Sequence, residues 1–267
     1  MSAFPQMLLA IDIGNSFTKF GIFDGESLFH KFSIQTKRDY TVEELLFDRL
    51  RLIEKQFIQV DLDTCIVTSV VPDVNGVIAQ VCRELFKINP QFVDAGWDFG
   101  FRIDYNPPEA AGADRLVNCF AAAEKYGTPV VVCSFGTATT IDVVNADNAY
   151  AGGIIAAGMA TSAKALQLAT AKLPNVPIEK PEDVIGKTTV ASIQSGIVNG
   201  HIAMVEGLLA KIEDRGKVVA TGGFARLLAP EIKAIDAVDE NLTLEGLRLL
   251  ASRAPEAELA FESEMVV

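Results

Sequence analysis

The sequence is poor in histidine, in paired cysteines and in positive charge. It has two histidines and four cysteines, Cys65, Cys82, Cys119 and Cys133, with no C-x-x-C among them. Zinc-ligand spacing is therefore missing. The cysteines lie in apolar stretches and read as reduced core residues of a cytoplasmic protein. Lys and Arg number 23 against 35 Asp and Glu, a net charge of −12. There is no dense basic cluster of the kind a nucleic-acid or anionic membrane surface needs. No apolar run approaches the roughly 20 residues of a membrane span. The opening Met-Ser-Ala-Phe-Pro-Gln has no basic region before an apolar one, so no secretory signal is predicted. Two familiar phosphate motifs are also missing. Gly186-Lys187-Thr188 lacks the glycine a P-loop needs at position 181, which is Pro181, and no G-x-G-x-x-G follows a strand.

What is present is a well-mixed globular composition, 49% hydrophobic over 267 residues. That suits one large or two small domains. Leu8–Ile13, Thr18–Phe23 and Leu28–Ile34 predict a three-strand meander with a glycine turn. Apolar spacing predicts helices at Thr41–Ile58 and Asn75–Phe86, around strands at Thr64–Val71 and Gln91–Val93. Residues 94–109 read as a loop, then Ala113–Tyr126 as a helix. Strands follow at Pro129–Val132, Thr140–Val144 and Tyr150–Ile155. Helices are predicted at Met159–Thr170, Thr188–Arg215 (broken near Gly207) and Ala225–Ala229, with a strand at Lys217–Ala220.

A weak internal repeat organises these elements. Leu9 to Thr18 aligns on Val131 to Thr140, which sets Asp12 against Ser134 and Gly14 against Gly136. Each copy opens a β-β-β-α-β-α-β unit. The pattern predicts an α/β protein of two related domains, residues 1–112 and 113–267, facing a cleft; chance likeness of two glycine hairpins is the alternative. Glycine hairpins expose backbone N–H groups, and Ser, Thr and Asn add donors for phosphate oxygens. Asp12 could hold Mg²⁺ or simply close its turn. Gly222-Gly223 is either a nucleotide contact or a strand-to-helix turn. Gly112-Ala113-Asp114-Arg115 at a helix start suits anion binding with a carboxylate base, or a helix cap with a surface ion pair.

Together these segments resemble one family, the type III pantothenate kinases. The resemblance rests on Asp12-Ile13-Gly14-Asn15-Ser16, Gly112–Arg115, Phe135-Gly136-Thr137-Ala138-Thr139, Gly152-Gly153 and Thr221-Gly222-Gly223, in that order. Ser69-Val70-Val71-Pro72, Leu173-Pro174, Ile185–Thr189, Gln194-Ser195-Gly196 and Leu242–Leu247 add to it. It implies two ribonuclease-H-like domains of the actin/hexokinase type. It also implies ATP-dependent phosphorylation of pantothenate, the first step of coenzyme A synthesis, by a homodimer whose pantothenate site lies near the dimer interface.

By motif, Asp12, Ile13, Gly14, Asn15, Ser16, Phe17, Thr18, Lys19 and Thr137 are expected to bind ATP. Tyr105, Gly112, Ala113, Asp114, Arg115 and Thr189 are expected to bind pantothenate, with Asp114 as base. Mg²⁺ and a monovalent cation, K⁺ or NH₄⁺, are the implied ions. The chain departs from the family at Ser134, where the family has the aspartate associated with the monovalent cation. A neutral hydroxyl there leaves a catalytically weakened binding or regulatory protein as the alternative. A sugar kinase is a third reading.

Overall fold

The computed structural model describes residues 7–45 and 62–253. Two mixed sheets form its frame. The first contains β1 (Met7–Ile13), β2 (Phe17–Asp24), β3 (Ser27–Gln35), β4 (Thr64–Ser69) and β5 (Pro90–Phe92), in the order β3-β2-β1-β4-β5. The second contains β6 (Arg102–Ile103), β7 (Val130–Phe135), β8 (Ala138–Val144), β9 (Ala149–Ala157), β10 (Lys217–Thr221) and β11 (Ala237–Val238), in the order β11-β10-β7-β8-β9-β6. Without β6, the second sheet repeats the first strand for strand. β1 and β7 are each antiparallel to the next strand in sequence, and each is parallel to a strand that returns by a crossover.

The internal repeat is therefore a property of the topology, with a one-residue slip. Ile13 pairs with Thr18 across the first hairpin, while Phe135 pairs with Thr139 across the second. The second turn is one residue shorter. In consequence Lys19, rather than Thr18, is the counterpart of Thr140: Lys19 opposes Asp12 and Thr140 opposes Ser134.

Strand alternation assigns the faces. Leu9, Ile11 and Ile13 of β1 turn outward, to a core shared with Val74, Ile78 and Val81 of α1 (Pro72–Val81). Leu8 and Ala10 turn inward. In β7, Val130 and Val132 turn inward, whereas Val131, Cys133 and Phe135 face outward. Between the sheets lie α2 (Ala113–Tyr126) and, later in the chain, the helix Leu242–Ala251, their buried residues continuous with both inner faces. These two helices approach closely because Gly246 lies on the Val117 backbone, where a Cβ would overlap. The outer face of the second sheet carries α3 (Met159–Ala169), α4 (Thr189–Leu209) and the short α5 (Ala225–Leu228). The helix Leu242–Ala251 is α6. Each large apolar side chain enclosed in these layers contributes about 1.5–3 kcal/mol.

Several elements differ from expectation for identifiable reasons. The helix predicted at 41–58 begins with the turn Val42–Glu44, where Thr41 and Glu44 form a reciprocal capping box; its remainder lies largely outside the described residues. The helix predicted from Asn75 starts at Pro72, a proline at the first helical position, and ends in a π-helical turn at Cys82–Phe86. The helix α4 runs through Gly207 and stops at Leu209. The expected loop at 94–109 holds β6, which joins the second sheet by pairing with β9. All four cysteines are buried and free.

Candidate active site

The two glycine hairpins converge. Gly14 N–H donates to Phe17 O at 3.1 Å and Gly136 N–H to Ala138 O at 3.0 Å, closing each turn. Their tips meet where the Ser16 and Thr137 hydroxyls lie 2.7 Å apart. The second hairpin is braced from outside. Gly158, at the start of α3, sits so close to the Gly136 and Thr137 carbonyls that a Cβ would overlap them. The Thr161 hydroxyl donates to Thr137 O at 2.7 Å. Gly222, with φ of +91°, packs on the Phe135 backbone. The segment Gly222-Gly223 therefore adjoins the second hairpin, on the turn into α5.

Below the tips, alternation sends Asp12 to the inner face, where Lys19 bonds its carboxylate at 3.2 Å. Asp114 stands at the start of α2, half-buried. Burial, and then the Asp12 charge, push its carboxyl up to about 6; the hydrogen bond from the Arg115 backbone N–H opposes that rise, and the Asp142 charge adds a smaller upward contribution. A carboxyl in that range is mostly ionised at neutral pH and a stronger base than an exposed aspartate.

The neighbouring Arg115 is not a surface residue and does not pair with Asp114, contrary to the surface ion-pair alternative. It is buried and donates from Nε at 2.8 Å and Nη2 at 2.5 Å to Oδ1 of Asp142 on β8. The Tyr150 hydroxyl donates to the same oxygen at 2.9 Å. The Tyr105 and Tyr150 ring centres lie 5.8 and 5.9 Å from the guanidinium. Gly153 makes room for the pair, since a Cβ there would overlap Asp142, the Ile141 carbonyl and the guanidinium. Gly152, at φ +98°, lies against the Tyr105 ring. Gly112 caps α2 beside Asp114.

Two expected residues are placed differently. Ser134 shares the inner face of the second sheet but stands in register with Thr140 on one side and Thr221 on the other, a row of neutral hydroxyls. Thr189 opens α4 on the opposite, outer face of that sheet. There it lines a cleft of about 1020 Å³ between α3 and α4; nothing described joins it to Asp114, Arg115 or Tyr105. Further along α4, buried His201 ties the helix to the sheet, its Nε2 lying 2.8 Å from the Thr139 hydroxyl. Burial lowers the pKa of that imidazole, which favours its neutral form.

Asp142 and Tyr150 were missed by the sequence reading. Both sit in strand-like runs, and the one available signal was a single charged residue, Asp142, within the strand Ala138–Val144.

A family model described as type III pantothenate kinase matches residues 8–211. The chain belongs to the type III pantothenate kinase family. A type III pantothenate kinase of Citrifermentans bemidjiense is 44% identical over 254 residues, covering 92% of this chain and 99% of the relative. One of Halalkalibacterium halodurans is 40% identical over 249 residues, covering 91% and 98%.

Among solved structures, a Baf-family transcriptional activator of Campylobacter jejuni superposes with a TM-score of 0.58 at 20% identity, covering 91% of this chain and 96% of that one. The activator of 2-hydroxyisocaproyl-CoA dehydratase from Clostridium difficile, solved with bound ADPNP, gives 0.53 at 13% identity, covering 92% and 93%. At such identities the likeness concerns the fold alone, an α/β architecture of two mixed sheets of the actin/hexokinase type. Among the described residues no helix is long and apolar enough to cross a membrane.

Proposed function

We propose that the chain transfers the γ-phosphoryl group of ATP to the primary hydroxyl of pantothenate, the entry step of coenzyme A synthesis, in the cytoplasm. The observation that carries this reading is the meeting of the two hairpins at Ser16 and Thr137, together with the Asp12 carboxylate of the first hairpin strand lying close enough to Asp114 for its charge to raise that carboxyl. The backbone N–H groups and hydroxyls of 12–19 and Thr137 suit a polyphosphate held between the halves 1–112 and 113–267. Asp114 takes the proton from the acceptor hydroxyl. Arg115 and Tyr105 suit the acceptor's carboxylate and polar body. Phosphoryl transfer depends mainly on such positioning and charge stabilisation.

Mg²⁺ fits this arrangement. Among the described residues no group of three or more His, Cys, Asp or Glu could hold a metal by itself. That suits an ion held largely by phosphate oxygens and water, with one carboxylate, Asp12, as its protein anchor. The ion would neutralise phosphate charge. The monovalent-cation position fits less well. Ser134, Thr140 and Thr221 supply neutral oxygens, while Asp142 on the same face is committed to Arg115 and Tyr150.

A homodimer completes the site. Leu166, Leu168, Val184, Ile185 and Val190 are exposed on or beside the α3–α4 cleft. That concentration of exposed apolar residues is the sort a protein interface covers. We infer that a second copy packs there, so that Thr189 serves the partner's pantothenate rather than that of its own chain.

The deciding experiment measures ADP release from Mg·ATP with pantothenate, and with hexoses as controls. Turnover with pantothenate alone is expected. Turnover with a hexose instead would sink the assignment. The relatives bear kinase names, and no specific observation favours the non-catalytic alternative.

A further inference from the structure

We propose that Asp142 is a positioning residue of the reaction, holding Arg115 in the one orientation that presents its remaining N–H groups to the acceptor beside Asp114. This rests on the pantothenate kinase reading.

The geometry is more constrained than an ordinary ion pair. Both Arg115 donors reach a single oxygen, Oδ1, which also accepts from Tyr150. Three donors on one oxygen fix the carboxylate, and the fixed carboxylate fixes the guanidinium plane. The Tyr105 and Tyr150 rings lie against that guanidinium. Gly153 removes the Cβ that would push the pair apart.

Stability alone is a poor reason for such a pair. Taking two charges out of water offsets most of their attraction, and well-packed apolar residues do as well or better in that role. The pair is also contiguous in sequence and space with the proposed base. Arg115 follows Asp114 directly, and the negative charge of Asp142 is one of those that raise the Asp114 carboxyl. Of the five N–H groups of a guanidinium, two are bonded to Asp142 and the Tyr105 hydroxyl engages the guanidinium as well, which leaves the others to meet an anionic acceptor.

The roles separate in steady-state kinetics, beginning with the wild-type protein. If it shows no turnover with pantothenate, the kinase reading fails and this inference with it. Given wild-type turnover, Asp142→Asn is expected to raise the pantothenate KM by about tenfold or more and to leave the ATP KM within about twofold. The acid limb of kcat/KM should move down by about one pH unit, because losing Asp142 and releasing the Arg115 charge both favour ionised Asp114.

Tyr150→Phe keeps both charges and removes one hydrogen bond. Its pantothenate KM should rise by about threefold, with the acid limb unmoved. A merely structural role predicts something else: a lower melting temperature and a smaller active fraction, with both KM values and the pH profile unchanged. That result for Asp142→Asn refutes the proposal. Should Asp142→Asn fail to fold, Tyr150→Phe decides, and an unaltered pantothenate KM in that variant is equally fatal.

Discussion

Replacing Asp114 by Asn should make the protein both slower and more stable. The folded environment raises this carboxyl from 3.8 to about 6. That shift of roughly two units corresponds to about 3 kcal/mol by which folding disfavours the ionised form. The sign follows from proton binding. Between the unfolded and folded pKa values the native state holds the proton more tightly, so this group's contribution to stability increases as pH falls from about 6 towards 4 and diminishes as pH rises through that window. At pH 8 the wild type carries the full penalty, and Asp114→Asn should gain about 1–3 kcal/mol in urea unfolding, the lower figures allowing for solvent screening at a half-buried site. At pH 4, with Asp114 protonated, the gain should vanish.

Activity runs the opposite way. The base works only when ionised, so wild-type kcat/KM should fall by about tenfold between pH 7 and pH 5, and Asp114→Asn should lose about 10²–10⁴-fold in turnover with little change in ATP affinity. ADP release and urea titrations at several pH values measure both quantities. A variant no more stable than wild type at pH 8, or a wild-type profile flat from pH 5 to 8, refutes the reasoning about this carboxyl.

Restoring a carboxylate with Ser134→Asp should strengthen activation by potassium, read from initial rates against K⁺ at constant ionic strength; identical curves for the two proteins would mean that position 134 is not the ion's anchor. If Thr189 acts across a dimer, mixing inactive Asp114→Asn and Thr189→Ala chains should regenerate intact sites, to about a quarter of wild-type activity for random pairing in a two-fold dimer. No recovery on mixing would assign Thr189 to its own chain or to no site. Gly153→Ala should destabilise by about 1–3 kcal/mol through overlap with the Ile141 carbonyl and the Arg115–Asp142 pair. Gly207→Ala, whose added Cβ meets nothing within 4 Å, should instead stabilise α4 by about 0.5–1 kcal/mol; calorimetry of the two variants checks the contrast.

Local chemistry determined a large part of this protein. Alternating apolar residues and glycine turns were enough to place β1, β2 and β3 and the opening of β7, and the likeness of Asp12–Gly14 to Ser134–Gly136 disclosed the doubled architecture. Those features depend on neighbours in the chain, and a period-2 pattern or a tight turn is visible wherever it occurs. The hairpins and the Asp114-Arg115 helix start were legible for the same reason.

Tertiary packing decided the rest. A two-residue strand at Arg102–Ile103 exists only because β9 lies alongside it. The helix Leu242–Ala251 has no side-chain cap and is buried on much of its surface, so its place depended on two sheets closing around it. Asp142 lies 27 residues from Arg115 in sequence, and only the seating of α2 on the inner face of β8 joins them. The same alternation that turns Asp12, Ser134 and Asp142 inward leaves α4 and Thr189 on the far side of the sheet. Which face a helix covers is set by the crossover that carries the chain over the sheet, and no stretch of sequence contains that information in itself.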